Sequence, residues 1–350
     1  MTNTTIQAVG TANPPLYLTQ EEAFESLQSL FSLTPAERDL YRRIMLNGTI
    51  RGRYLGMAAP EEAARTDQDA LIGRFTKFAR ASARDAARSA LTRAGLSAED
   101  VDILVVNTCT GYLCPGLTSY VAEDLGLRES VRTLDVMGMG CGSALPNVQA
   151  AAGLLGLNGG GVALCVAVEI CSATLFMDPD PGVIVSNAIF GDGAAALVLA
   201  VRETGSAPRL VDFETTLLPA HREALRYRTE KQRLRNVLSA RVPVLGADAA
   251  DRNIRGLLQR HNLSKNDVAR WIVHPGGTEV LSRFEKKLGL NGNTLEHAYA
   301  VFAEYGNMSS PSVWFVWDRM MREDPPEPGT WGVMLSFGAG FSAFSALIRF

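Results

Sequence analysis

The chain has 350 residues, with 34 Lys and Arg against 37 Asp and Glu and a net charge of −3. That length suits two domains or one large α/β unit and buries roughly three quarters of the unfolded surface, so neither disulfides nor a structural metal is needed. With 47% hydrophobic and 20% charged residues, the composition excludes disorder and lacks the basic field that nucleic acid requires. The low charged fraction also suits burial of further surface against a second copy.

Five cysteines (Cys109, Cys114, Cys141, Cys165, Cys171) form no C-x-x-C pair, and His221, His261, His274 and His297 are scattered, so no metal frame is read. Met1 to Gly10 lacks the regions of a signal peptide. The longest near-apolar run, Gly161 to Phe176, contains Glu169 and is shorter than the ~20 residues of a spanning helix. These features predict a cytoplasmic chain with reduced thiols and no membrane or nucleic-acid partner.

In chain order, the first 90 residues read as helices decorating the first half. SALTRAGLSAEDVDILVVN then predicts an amphipathic helix, an L-S-x-x-D-V turn and an apolar strand ending at Asn107, Thr108 and Cys109. VRTLDVMGMGCGSALPNVQAAAGLL predicts strand, glycine-flanked turn and helix, with Cys141 in the turn; VALCVAVEICSA and GDGAAALVLA predict two closing strands. Charge, Pro and Gly interrupt the text between Val201 and Pro208, placing a boundary between halves 1–205 and 206–350. The segment from His221 to Arg241, with seven Arg or Lys against two Glu, predicts a solvated face or helix, contact with an anionic ligand being the alternative.

After the boundary the pattern repeats. GLLQRHNLSKNDVARWIVH copies the helix, turn and strand at an offset of 167 residues and ends at His274. AYAVFAEYGNMSSPSVWFVWDRMM copies strand, turn and helix, with Asn307 where the first half has Cys141; TWGVMLSFGAG and FSAFSALIRF copy the closing strands. Continuous apolar strands imply helices on both faces. The expected object is therefore two pseudo-equivalent α/β halves packed together.

Such folds concentrate chemistry where strand ends meet helix starts. Cys141 follows G-M-G and precedes a helix; the turn and the helix N-terminus favour a thiolate, as a nearby imidazolium would. His274 ends a strand, and Pro275-Gly276-Gly277 would bring it to the mouth of a site, where imidazole pairs with a thiolate and donates to an oxyanion. Asn307 is a helix cap or an amide donor, and its repeat position opposite Cys141 favours the donor. GMGCG and NGGG do not fit a dinucleotide-binding loop; FGDGAAALVL and SFGAGFSAF read as tight turns beside closely approaching backbone.

Assembled, these residues resemble the thiolase-fold condensing enzymes and, within them, the type III polyketide synthases of chalcone- and stilbene-synthase type. The resemblance runs through IQAVGTANPP, TIRGRYL, GCGSALPNVQAA, IFGDGAAALVL, VHPGGTEVL, YGNMSSPSV and WGVMLSFGAG. It implies an α/β, thiolase-like duplicated fold with a layered αβαβα core, and a homodimer without prosthetic group. The reaction it implies is iterative decarboxylative condensation of malonyl-CoA onto a CoA-linked starter, with cyclisation at the end. Cys141 would carry the growing chain, and His274 and Asn307 would hold the malonyl thioester carbonyl. Arg43, Gly276, Gly277 and Ser309 would contact coenzyme A, although Asn47 stands where relatives have a lysine. Phe190 would separate the CoA tunnel from a cavity lined by Cys109, Cys171 and Thr174. Leu234 would replace a second gate phenylalanine, Ala339 a proline, and Cys114 would reach toward the partner's cavity. VEICSATLF, SNAIFGDGAAA and RYRTEKQRLRNVLS are most similar to dihydroxyphenylacetyl-CoA-synthase-like enzymes, which use malonyl-CoA as starter and extender; naphthalene-, resorcinol- and pyrone-forming branches stay open. A ketoacyl-acyl-carrier-protein synthase III is the alternative, since it shares the Cys-His-Asn set.

Overall fold

The computed structural model describes residues 3–201 and 207–350. Its elements in chain order are β1 (Thr4–Ala12), β2 (Leu16–Thr19), α1 (Gln20–Leu30), α2 (Pro35–Met45), β3 (Gly52–Leu55), α3 (Gln68–Ala94), β4 (Ile103–Asn107), α4 (Leu117–Leu125) and β5 (Arg132–Val136). Next come α5 (Ala144–Asn158), β6 (Val162–Ile170), α6 (Pro181–Ile189), β7 (Asp192–Val201), β8 (Arg209–Leu217), β9 (Leu225–Glu230) and β10 (Arg233–Leu238). The chain closes with α7 (Val242–Arg260), β11 (Val268–Val273), α8 (Thr278–Leu288), α9 (Glu296–Tyr305), α10 (Ser312–Glu323), β12 (Trp331–Gly338) and β13 (Ser342–Arg349).

Nine strands run in the order β11-β12-β13-β8-β1-β7-β6-β4-β5. In the first half β4 is parallel to β5 and β6, and β7 is antiparallel to β6 and β1. In the second half β11 is parallel to β12, and β13 is antiparallel to β12 and β8. The duplication is thus β1/β8, β4/β11, β6/β12 and β7/β13. The two sets join where Thr5 faces Arg209 and the Ile6 amide donates to Pro208 O (2.8 Å).

Alternation along the strands explains the layers. One face of β4, β6 and β7 (Leu104, Val106, Leu164, Val166, Val168, Ala196, Val198) packs on α3. The other face (Ile103, Val105, Ala163, Cys165, Ala167, Leu197) packs on Leu145, Val148 and Leu155 of α5. Helix α5 also touches β12 and β13, and α10 touches β1, β7, β11 and β12, so these two helices form the layer between the halves. That is why α10 buries Val313, Trp314, Phe315, Val316 and Trp317 in succession: a helix covered on both sides has no polar face. Truncating fully buried Trp314 is a change of about 3–5 kcal/mol. Helices α3 and α7 cover the outer faces, completing an αβαβα order. Helix α3 approaches β1 so closely that a Cβ at Gly10 would lie 2.3 Å from Ala86 O.

Three expectations need correction. The first 90 residues are not only decorating helices, because β1 is the central strand that joins the halves. Its alternating TTIQAVGTA is too short to announce a central position. The repeat of β5 is not a strand: Glu296–Tyr305 is the helix α9, so the second set has four strands. The basic segment 221–241 is not merely a solvated face or helix: after a short 3-10 helix that ends at Ala224 it forms the hairpin β9–β10, turning at Lys231 and Gln232 with φ of 49° and 63°. Those two left-handed residues lack the Asn-Gly text that normally signals such a turn. Its arginines pair mostly with nearby carboxylates: Arg226 with Glu223, Arg228 with Glu230, Arg235 with Asp178 and Asp180. The boundary at 205/206 lies outside the described residues. Among the described residues no helix is long and apolar enough to cross a membrane.

Candidate active site

Cys141 lies in the turn Gly140–Gly142 between β5 and α5, and it is buried. Gly138 and Gly140 take φ of +87° and +58°, the left-handed conformation that the sharp turn requires. The other half holds this turn. Ala339 N–H donates to Met139 O (3.1 Å), and Ser336 Oγ donates to Gly142 O (3.0 Å). A Cβ at Gly338 would lie 2.1 Å from Met139 O, so the backbones touch, as SFGAG foretold. At the end of β4, Asn107 Nδ2 donates to Ser143 Oγ and Ser310 Oγ, both at 2.8 Å, and thereby ties the Cys141 turn to the Asn307 loop.

His274 ends β11 with its amide donating to Leu335 O (2.9 Å) and its ring edge-on to Phe337 (centroids 5.7 Å). It is 1% exposed rather than at an open mouth, and its Nδ1 has no hydrogen-bond partner among the described residues. A buried imidazole nitrogen without a partner is unlike a satisfied core histidine. Asn307 does not cap α10, whose N-cap is Pro311. Its Nδ2 donates to Gly276 O (3.2 Å), its Oδ1 accepts from Ser309 N–H (2.8 Å), and its backbone bridges Phe190. No hydrogen bond joins Cys141 directly to His274 or Asn307 among the described residues. Adjoining loops connect them, through Ser309 on one side and Gly276 on the other.

The expected lowered thiol pKa is overturned for the resting site. Burial pushes Cys141 up to about 12, outweighing the Ser309 hydroxyl that bonds toward the sulfur. Burial likewise lowers His274 to about 3. Burial thus favours the neutral form of both groups. Behind them lies Glu169, fully buried and missed as a site residue. Its Oε2 accepts from Thr108 Oγ1 (3.2 Å), Cys109 N–H (2.9 Å), Thr110 N–H (3.1 Å) and Thr110 Oγ1 (2.9 Å), and its Oε1 accepts from Ser310 Oγ (2.7 Å). Burial raises its pKa against those bonds. The signal for it was present, since an acid inside a strand buried on both faces is rare without a task.

A cavity of about 480 Å³ opens on Cys141 and is lined by Cys109, Phe190, Tyr227, Leu234, Asn236, Ser309 and Ala339 among others. A neighbouring apolar cavity of about 80 Å³ holds Cys171 and Thr174. Phe190, Tyr227 and Asn236 stand in both walls. Phe190 thus stands in a wall that the two cavities share. Leu234 lines the larger cavity but not the partition, where Asn236 and Tyr227 stand instead; β-strand alternation puts Leu234 and Asn236 on one face of β10, two residues apart. Tyr227 Oη lies 3.3 Å from Thr174 Oγ1. Ser309, expected among coenzyme A contacts, faces the cavity, with Oγ 3.6 Å from Cys109 Sγ. Gly277 starts α8 at φ +151°. Arg43 is exposed on α2 and pairs with Asp39 (3.2 Å), and Asn47 Oδ1 accepts from Thr49 N–H and Oγ1. Cys114 is exposed and lines neither cavity; Cys165 is an inert core residue of β6.

A thiol and an imidazole after strands β5 and β11, with an amide at the junction of α9 and α10, in a duplicated α/β fold define a condensing enzyme that works through an acyl thioester. The comparisons make this specific. The FAE1/Type III polyketide synthase-like protein family matches residues 12–220, and the chalcone and stilbene synthases, C-terminal domain, matches residues 209–350. The chain is 33% identical to the 1,3,6,8-tetrahydroxynaphthalene synthase of Streptomyces peucetius subsp. caesius, over 99% of this chain and 93% of that one. It is 30% identical to the 3,5-dihydroxyphenylacetyl-CoA synthase of Streptomyces toyocaensis, over 98% and 89%. The crystal structure of PKS-I from the brown alga Ectocarpus siliculosus superposes with a TM-score of 0.90 at 29% identity, covering 100% of this chain and 98% of that one. The chain belongs to the type III polyketide synthase family, and nothing in these comparisons supports the acyl-carrier-protein alternative.

Proposed function

We propose that this type III polyketide synthase primes and extends with malonyl-CoA, on Cys141. The observation that carries the reading is the cavity on which the Cys141 turn opens, walled by Ser309 from the Asn307 loop and by Phe190. In this reading Cys141 attacks a CoA thioester and passes its proton to neutral His274, whose free Nδ1 marks a ring not committed elsewhere. The acyl–CoA carbon–sulfur bond breaks, and the departing CoA thiolate takes that proton back from the imidazolium. His274 and Asn307 then donate to the carbonyl of the next malonyl thioester. Loss of carbon dioxide leaves an enolate whose oxygen needs donors already in place in a dry site. The enolate carbon attacks the Cys141 thioester, and the lengthened chain returns to the sulfur. Both Streptomyces relatives are named for hydroxylated aromatic products, which supports a malonyl-primed, cyclising branch. No prosthetic group is needed for these steps.

Arg43, Gly276 and Gly277 are proposed to meet coenzyme A, and the cytoplasm is the proposed compartment. A homodimer is supported by the edge strand β5, where Arg132 to Asp135 are exposed, and by exposed Tyr112, Leu134 and Met137 beside it. The test is mass spectrometry of products from purified protein given malonyl-CoA alone. An aromatic polyketide made without added starter, and abolished in Cys141→Ala, is expected. Untouched malonyl-CoA, or full product from Cys141→Ala, overturns the proposal. Decarboxylation without condensation overturns malonyl priming and points to an acyl-CoA starter.

A further inference from the structure

Helix α6 ends at Ile189, one residue before Phe190, with its last carbonyls lacking partners inside the helix. A buried cation meets them. Arg53 Nη1 donates to Asn187 O (2.8 Å) and Phe190 O (2.7 Å), and its Nε donates to Gln20 Oε1 (2.9 Å). Gln20 Nε2 in turn donates to Ala188 O (3.0 Å), so the two side chains together take three carbonyl positions around the helix end. Positive charge is favourable there because the helix dipole leaves its C-terminus negative. Arg53 is 4% exposed, and burial brings it to about 10, so it is still a cation at neutral pH.

The same side chain also meets the other strip of the site. A Cβ at Gly306 would lie 3.1 Å from Arg53 Cγ and 3.0 Å from its Cδ, and Gly306 takes φ +66°. Immediately after it, Asn307 N–H donates to Ile189 O (2.9 Å), and Gly191 N–H donates to Asn307 O (3.0 Å). Arg53 therefore grips the segment carrying the partition ring of Phe190 and packs its stem on the segment carrying the Asn307 amide. It stands in the wall of the smaller neighbouring cavity but does not line the one that opens on Cys141.

We propose that Arg53, seated by Gln20, is a positioning residue that sets where Asn307 and Phe190 stand in the site. The inference rests on the proposed role of Asn307 in decarboxylation. A planar guanidinium reaches two carbonyls at fixed spacing, whereas an ammonium meets them as a point charge, so lysine retains the charge and loses the geometry. Misplacing a donor by about 1 Å is enough to cost on the order of 100-fold in rate.

The experiment measures malonyl-CoA decarboxylation, condensation and thermal midpoint for Arg53→Lys, Asn307→Ala and the double variant, with Gln20→Met as a milder version that keeps Arg53. The expected result is a fall in kcat of about 10- to 100-fold for Arg53→Lys, with KM for malonyl-CoA within about twofold. Gln20→Met falls less, and Arg53→Lys adds no further loss in the Asn307→Ala background. Equal losses in both backgrounds, or a change confined to KM, overturn the positioning role. If Arg53→Lys does not fold, the same non-additivity is required of Gln20→Met, and additive losses there overturn the proposal. Asn307→Ala decarboxylating at the wild-type rate would refute the role of Asn307 itself, a failure visible in that single variant.

Discussion

His274→Gln keeps a planar polar side chain against Phe337 but removes a titrating group from the site. Burial holds the folded-state pKa at about 3, whereas a histidine in the unfolded chain titrates near 6.5. Between those values the unfolded chain binds a proton that the folded one refuses. Stability therefore falls as pH drops below about 6.5, with a slope of ~1.4 kcal/mol per pH unit. From about pH 8.5 to about pH 4.5 the wild type loses roughly 2.7 kcal/mol through this one ring, nearly all of it below about pH 7, and the variant loses none of it. Urea unfolding of both proteins across about pH 8.5 to 4.5 isolates the effect. The buried carboxyls of Glu169 and Asp192, which burial raises, titrate in both proteins and cancel in the difference. The stability gap between wild type and variant should shrink by that amount on acidification. A gap constant to about 0.5 kcal/mol would refute the neutral imidazole.

Two further variants probe the scaffold around the nucleophile. Glu169→Ala strands the backbone donors of Cys109 and Thr110; at ~1–3 kcal/mol per unsatisfied donor this is a loss of about 2–6 kcal/mol by equilibrium denaturation. Glu169→Gln keeps an acceptor and should lose less, and an alanine variant as stable as wild type would contradict the network. Gly338→Ala puts a methyl where Met139 O and Gly142 N leave no room. Overpacking of about 1–3 kcal/mol is expected, together with at least roughly tenfold slower condensation as the Cys141 turn shifts. Alkylation of Cys141 and mass spectrometry of the adduct, beside product formation, check it; wild-type rates in both would show that the turn yields without moving the sulfur.

How much was legible in the sequence depends on how local the signals are. The L-S-x-x-D-V turns at Leu96 and Leu263 each lead into a strand, β4 and β11, because capping serine, acid and apolar run are neighbours in the chain. Cys141 and His274 stood out because Gly and Pro punctuation marks strand-to-helix junctions by itself; Asn307 stood out by its place in the repeat, although it follows helix α9 rather than a strand. Glu169 was visible only as an interruption of an apolar run. Its importance lies in donors from residues 108–110 and 310, and no local pattern encodes those. The same holds for Arg53, which TIRGRYL displays without showing the carbonyls of Asn187 and Phe190.

The amino-acid sequence by itself determined the duplication, the α/β class, the three candidate residues Cys141, His274 and Asn307, and the membership of the family. All of these depend on periodicity, turn chemistry and motif text within short windows. Only the tertiary structure decided that β1 is central, that α9 replaces a strand, and that 225–238 is a hairpin whose Tyr227 and Asn236 share the partition with Phe190. It also decided which way burial presses the two groups, since withdrawing Cys141 and His274 from water favours the neutral form of each. Burial is a sum over neighbours from both halves, and chain-local text does not contain that sum.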